Sequence, residues 1–288
     1  MKIAELKDRV VFGAARVWYR NSMADVAQRT GHVQFRASVA AVRELNASMR
    51  RITLAAPEFT GYELAGPDEY FGLLMPGADG RLHMPDGERV NVRAAVADMP
   101  EEQQPGLRWY TIRELRRSRG EVDVDIVTHG DSGPGSAWAL RAAVGDPVGF
   151  RSGGALYTAF EPPRQLLAAD ETAVPALLAI LEERERRGLP GPGAGVDAHV
   201  EVPAASVLGG VELPAGITVH ERGDADPGTT VLAALAADPA TTAGLDYAWA
   251  CGESGLATSL RRHLVQEVGM DKKAITFSGY WKLGAARG

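Results

Sequence analysis

The sequence predicts two folded parts of different class: an N-terminal antiparallel β-barrel and a C-terminal α/β domain built on a parallel sheet. Three observations carry this expectation. From Val33 onward the hydrophobic period is two, with Val33, Phe35, Ala37, Val39 and Ala41 alternating with His32, Gln34, Arg36, Ser38 and Ala40, which is the pattern of a half-buried strand. Strand then follows strand with no long helix between them as far as Ile126, the order expected of an antiparallel barrel or sandwich. Past a cluster at Gly145, Pro147, Gly149, Gly153 and Gly154, strands and helices alternate instead, as they do when helices connect parallel strands. A chain of 288 residues also suits two cores, since single cores stop growing at roughly 250–300 residues. We place the division at residues 1–152 and 153–288.

In order, residues 1–29 read as a helical lead-in, with Ile3, Leu6 and Val10 near helical spacing. Strands are expected at 33–41, 49–55 and 70–75, with Pro67-Asp68 and Pro76-Gly77 as turns around the last. The polar, Pro/Gly-rich stretch 77–106 reads as a long loop or a hairpin with a mobile tip. A strand over 108–115 follows, then the alternation Val122, Val124, Ile126. In the second part we expect a strand at 165–169, a helix to Arg187, a Gly/Pro loop over 188–195, and strands at 196–202 and 217–220. A helix at 229–237, a strand at 247–251, a helix at 256–268 and a last strand at 274–281 complete it.

Composition narrows the function. The chain is 45% hydrophobic and 24% charged, with a formal net charge of -6, so nucleic acid is not the expected partner. No apolar run approaches the roughly 20 residues that cross a bilayer, and the charged N-terminus lacks the apolar stretch of a secretory signal. A cytoplasmic location is therefore expected. With one cysteine, Cys251, and six scattered histidines lacking a His-x-x-x-His pair, neither a disulfide, an iron–sulfur cluster nor a protein-built metal site is expected.

Two stretches carry chemistry in the first part. In Arg108-Trp109-Tyr110-Thr111-Ile112-Arg113 the central residues suit a pleated surface. A guanidinium grips a pyrophosphate through paired hydrogen bonds, and a tyrosine ring can lie on a planar isoalloxazine. The threonine can place its hydroxyl or its N–H on the flavin's polar edge. An edge strand with solvated arginines fits the same six residues. About twenty residues on, His129-Gly130-Asp131-Ser132-Gly133-Pro134-Gly135-Ser136-Ala137-Trp138 reads as a glycine-rich turn into a helix beginning at Ser136 or Gly135. Such a helix start is a ready anion site; a serine-capped turn is the plainer alternative.

In the second part, Asp170-Glu171-Thr172-Ala173-Val174-Pro175 opens a helix in which Thr172 is the expected N-cap and Pro175 is tolerated in the first turn. Its position after a strand is where open α/β sheets bind ligands. Asp170 and Glu171 suit ribose hydroxyls or a carboxamide better than phosphate, and simple capping explains them equally well. No Gly-x-Gly-x-x-Gly is present, so a Rossmann site proper is not expected. Cys251-Gly252-Glu253 follows a strand, with the thiol read as a small hydrophobe.

At these residues the chain resembles a family. Arg108-x-Tyr110-Thr111 is similar to the flavin signature of the ferredoxin-reductase superfamily. The longer set is similar to the siderophore-interacting proteins: Arg108 to Arg113, His129-Gly130 with Gly133-Pro134 and Trp138-Ala139, Gly145-Asp146, residues 170–176, Gly252-Glu253, and Gly279-Tyr280-Trp281-Lys282. The resemblance implies FAD on the barrel, NADH or NADPH at the second domain, and reduction of a ferric siderophore that supplies the iron's own ligands. It implies that Arg108 holds phosphate, Tyr110 packs on the isoalloxazine, Thr111 hydrogen-bonds it, and Gly133 to Trp138, with Ser136 and Ala137, hold the pyrophosphate region. Arg113, His129, Thr172 and Trp281 join these as cofactor-binding candidates. Asp170, Glu171, Cys251 and Glu253 are the nicotinamide-binding candidates. An anionic siderophore needs a cationic mouth, for which Lys282, Arg50 and Arg51 are proposed, with Lys272-Lys273 behind them. The chain departs from the family pattern at Arg151-Ser152-Gly153-Gly154, at Cys251 and at Lys282. A general flavin oxidoreductase, an electron donor to an oxygenase, and a non-catalytic flavin or siderophore carrier are the readings that remain beside the reductase.

Overall fold

The computed structural model describes residues 22–27, 29, 31–128, 133–161 and 163–284. The predicted lead-in and His129 with its three successors fall largely or wholly outside them. The described chain divides into two compact units, one of residues 27–44 and 49–155, the other of 22–26, 45–48 and 156–284.

The first unit is a seven-stranded sheet. Its strands are β1 (Gln34–Asn46), β2 (Met49–Ala55), β3 (Tyr70–Met75), β4 (Gly106–Thr111), β5 (Glu114–Arg116), β6 (Glu121–Val127) and β7 (Pro147–Ser152), arranged β4-β3-β7-β1-β2-β6-β5. The residues read from the alternation, Val39, Val122, Val124 and Ile126, share one core with Ile52, Leu54 and Leu73. Phe150 is stacked there against Phe71 at 4.7 Å and against Phe35 at 4.9 Å between ring centroids. The strand expected over 108–115 is two strands. Ile112 N–H donates to Glu69 O, beside β3, while the next N–H, of Arg113, donates to Asp123 O in β6, both at 2.8 Å. Two neighbouring residues thus bond to opposite edges of the sheet, and that crossing closes the barrel.

The stretch 77–106 is not a loop with a loose tip. It contains a short helix, α1 (Val92–Ala97), capped by the Asn91 side chain on Ala94 N–H, and a 3-10 turn at Glu101–Gln103. Leu82 and Val92 pack with Leu74 and Leu107 in a small core of their own. Arg36 donates to Leu82 O, Gln34 to Pro85 O, and the buried Arg151 to the carbonyls of Gly87 and Arg89 at 2.6 Å each. One helix, α2 (Pro134–Arg141), follows β6.

The second unit is a five-stranded parallel sheet of β8 (Gln165–Asp170), β9 (Val196–Val202), β10 (Ile217–Glu221), β11 (Tyr247–Glu253) and β12 (Ile275–Trp281), ordered β10-β9-β8-β11-β12. Successive residues of β8 face opposite sides, as a strand requires. Leu167 and Ala169 pack with Leu177 and Ile180 of α3 (Val174–Arg186). Leu166 and Ala168 pack with Val231 and Leu235 of α4 (Thr229–Ala237) and with Leu256 and Leu260 of α6 (Ser254–Gln266); the short α5 (Pro239–Thr242) follows α4. Because β8, β11 and β12 run parallel side by side, their carboxyl ends bring Asp170, Glu253 and Trp281 together, at the edge where open α/β sheets bind ligands. No described helix is long and apolar enough to cross a membrane.

Candidate functional site

In the barrel unit, α2 begins earlier than expected. Gly133 is its N-cap and Pro134 takes the first helical position, where a missing N–H costs nothing, so Ser136 lies inside the first turn instead of capping it. Ala137 N–H already closes the helix on Gly133 O, and Trp138 is buried in the barrel core. Gly135 is required by its neighbours: a Cβ there would lie 2.1 Å from the Tyr110 hydroxyl oxygen and 3.2 Å from Arg108 Cγ. The strand residues Arg108 and Tyr110 therefore close directly on the first turn of α2. Burial pushes the Tyr110 phenol up to about 12, against the pull of the Arg108 charge.

Arg108 is half-buried and, among the described residues, donates to the carbonyl of Leu107 at 2.7 Å. Among the described residues no carboxylate pairs with it. Thr111 is buried and its hydroxyl has no hydrogen-bond partner among the described residues. A guanidinium without a carboxylate partner among the described residues, a phenol and the positive end of a helix thus meet at one place. Such a set of donors fits a pyrophosphate with an aromatic ring system attached, and so fits FAD. Arg113 marks the barrel crossover through its N–H.

Arg50 and Arg51, read from the sequence as part of a cationic mouth, are engaged with partners in the barrel unit. Arg50 donates to Leu140 O at 3.0 Å and Ala139 O at 3.4 Å, in the last turn of α2, and stands 3.6 Å from Glu44. Cations at a helix C-terminus are favoured there by the helix dipole. Arg51 forms a two-pronged pair with the buried Asp125 at 2.6 and 2.7 Å. Lys282, by contrast, is exposed and forms no ion pair among the described residues. Lys272 and Lys273 lie in a 3-10 turn before β12.

At the carboxyl edge of the parallel sheet the carboxylates are buried and fully engaged. One oxygen of Asp170 accepts from Thr172 N–H at 2.8 Å, the Thr172 hydroxyl at 2.6 Å and Ala173 N–H at 3.2 Å. The other accepts from Glu253 N–H at 2.6 Å and from the Trp281 indole N–H at 2.7 Å. The cap expected of Thr172 is not made: the N-cap of α3 is Ala173, without a side-chain cap hydrogen bond, and Thr172 is instead a donor to Asp170 in the turn before the helix. Burial, then the neighbouring Glu171, push the Asp170 carboxyl up to about 6. Glu171 is itself fully buried and pairs with Arg222 at 3.3 Å. Glu253 caps α6, accepting from Gly255 N–H and from Leu256 N–H at 3.1 Å, and its other oxygen accepts from Leu283 N–H at 3.0 Å. Cys251 is fully buried with Tyr247 and Trp249. Gly252 has φ +137, and a Cβ on it would meet Asp170 Cγ at 2.4 Å; only glycine leaves room for the carboxylate. The sequence offered a sign of this in a glycine between a strand's last apolar residue and an acidic helix cap, but not the partner that demands it.

Two family models match the chain: the siderophore-interacting FAD-binding domain over residues 38–155 and the siderophore-interacting protein over residues 162–284. A Mycobacterium tuberculosis protein is 32% identical over 267 residues, 85% of this chain and 89% of its own. The ferric vibriobactin reductase ViuB of Vibrio cholerae is 32% identical over 140 residues, 47% of this chain and 49% of that protein. Among solved structures, a siderophore utilization protein from T. fusca superposes with a TM-score of 0.70 at 27% identity, over 90% of this chain and 96% of that one. The barrel with its open donor cradle and the parallel-sheet unit behind it in sequence are those of an FAD-binding flavoprotein, and the chain belongs to the siderophore-interacting protein family.

Proposed function

We propose that this protein is a ferric-siderophore reductase that takes electrons from NADH or NADPH through FAD. The observation that carries the reading is the cradle in which Arg108, with no carboxylate partner among the described residues, and Tyr110 close on the first turn of α2. FAD, when bound, accepts the two electrons of a nicotinamide hydride and releases them singly to an acceptor such as Fe(III). Arg108 neutralises the pyrophosphate, Tyr110 supplies an aromatic face, and Thr111 offers a hydroxyl held in a buried position. The edge formed by Asp170, Glu253 and Trp281 is the candidate nicotinamide site, since ligands of parallel sheets bind at strand carboxyl ends. Siderophore-bound Fe(III) is the substrate; reduction lowers the ion's charge and its hold on hard oxygen ligands. The chain's net charge of -6 repels an anionic chelate at long range, so local cations must receive it, and Lys282 is the exposed candidate. The reading puts the protein in the cytoplasm, where reduced nicotinamide nucleotides are.

The test is anaerobic. FAD-loaded protein is mixed with NADH or NADPH while flavin absorbance is followed, and a ferric catecholate siderophore is then added beside an Fe(II)-trapping dye. Bleaching followed by reoxidation with stoichiometric Fe(II) capture is expected. Bleaching with no Fe(II) would point to another acceptor, and absence of bleaching by either nucleotide would remove the reductase reading.

A further inference from the structure

We infer that Asp170 is a positioning residue that sets the angle of the Trp281 indole at the carboxyl edge of the parallel sheet. The main chain around Trp281 is fixed independently of its ring: Trp281 O accepts from the Ser254 hydroxyl at 2.8 Å, and Leu283 N–H donates to Glu253 at 3.0 Å. The indole N–H, 2.7 Å from Asp170, ties the ring to the end of β8. Asp170 cannot drift, because three donors at the start of α3 hold its first oxygen and the Cα of Gly252 backs its carboxyl carbon. Trp281 is half-buried, so its orientation decides which aromatic surface the edge presents. A hydrogen bond to a charged acceptor is both short and directional, and a carboxylate accepts at both oxygens where an amide accepts at one. In Asp170→Asn the oxygen that stays on Thr172 and Ala173 turns an NH2 toward two N–H donors, Glu253 and the indole, which releases the ring.

The functional part of this inference rests on the nicotinamide reading of the edge, and the experiment separates the two. In 15N-labelled full-length protein the Trp281 indole resonance is identified among the five tryptophans by its loss in Trp281→Phe. In Asp170→Asn it is expected to shift and its N–H to exchange at least tenfold faster. The KM for NADH is expected to rise roughly fivefold, as for one lost hydrogen bond, in Asp170→Asn, in Trp281→Phe and in the double variant alike, with kcat little changed. An unmoved indole resonance overturns the tether, and so do single effects that multiply in the double variant. A moved resonance with unchanged KM upholds the tether and overturns the nicotinamide reading. If Asp170→Asn does not fold, the unsubstituted chain decides. A tethered indole N–H exchanges more slowly than a free one, and exchange at the free rate overturns the inference.

Discussion

Arg108 in the barrel and Asp170 at the edge of the parallel sheet are both charged groups set beside a helix start and an aromatic ring, yet they end in opposite states. The Arg108 guanidinium has one carbonyl acceptor and no carboxylate among the described residues. The Asp170 carboxylate accepts five hydrogen bonds and is fully buried. A charge without a counter-ion is costly to keep half-buried unless a ligand neutralises it, whereas a saturated one serves the chain that saturates it. On the proposed reading, the barrel meets its cofactor with a group that has no counter-ion among the described residues, and the sheet edge shapes its surface with a saturated one. Residue type alone distinguishes neither.

The largest expected effect tests the closed side. Gly252→Ala forces an L-residue to φ +137 and a Cβ to within 2.4 Å of Asp170 Cγ. A loss on the order of 4 kcal/mol, or roughly 10 °C in Tm, is expected in thermal unfolding. A wild-type Tm would show that Asp170 is not rigidly seated and would break the comparison. Next comes the open side. Arg108→Ala should weaken FAD binding by about 1.5–3 kcal/mol, roughly 10- to 150-fold in Kd, while leaving the Tm of the FAD-free chain unchanged. A folded variant that keeps full FAD affinity would remove Arg108 from the site.

How far the two states could be read beforehand follows from what each depends on. Alternation marks β1 and β6, and the parallel unit is legible from strand–helix order, because both depend on neighbours in sequence. The break at Ile112 and Arg113 depends on Glu69 and Asp123 lying at opposite sheet edges, which no local pattern encodes. Asn91 before Val92 is a helix cap of the expected type, but the surrounding turn residues hide the short helix it starts. Arg50, Arg51 and Lys282 looked alike as cations; only their partners separate two structural arginines from an exposed lysine.

Protonation offers a smaller and sharper test. An acid held up to about 6 takes its proton as pH falls through 6, whereas exposed carboxylates stay ionised until about 4. Among the described residues the charged groups that bear on Asp170 are Glu171, which pairs with Arg222, and Glu253 on β11. Lowering the pH from 7 to 5 should loosen the indole and alter Trp281 fluorescence, and Trp281→Phe should abolish that change. A midpoint near 4 would mean that the five donors outweigh burial. The smallest effect is expected at the surface. Lys282→Ala should raise the KM for an anionic ferric siderophore about two- to threefold at low salt and leave it unchanged at high salt, since exposed charges are screened. Arg50→Ala should leave that KM alone and cost about 1 kcal/mol of stability through the C-terminus of α2.

The position of β7 governs how the barrel unit can be made. It is the last of the seven strands in sequence, yet it lies between β3 and β1, pairing Phe71 with Ser152 on one side and Gln34 with Arg151 on the other. A ribosome adding roughly 5–20 residues per second needs on the order of ten seconds to pass from β3 to β7. Throughout that interval β1 and β3 each have an unpaired edge, the feature that invites strand addition from other chains. Until residue 152 leaves the exit tunnel the emerging chain therefore carries two open strand edges at once, the condition under which strand addition from other chains competes with folding.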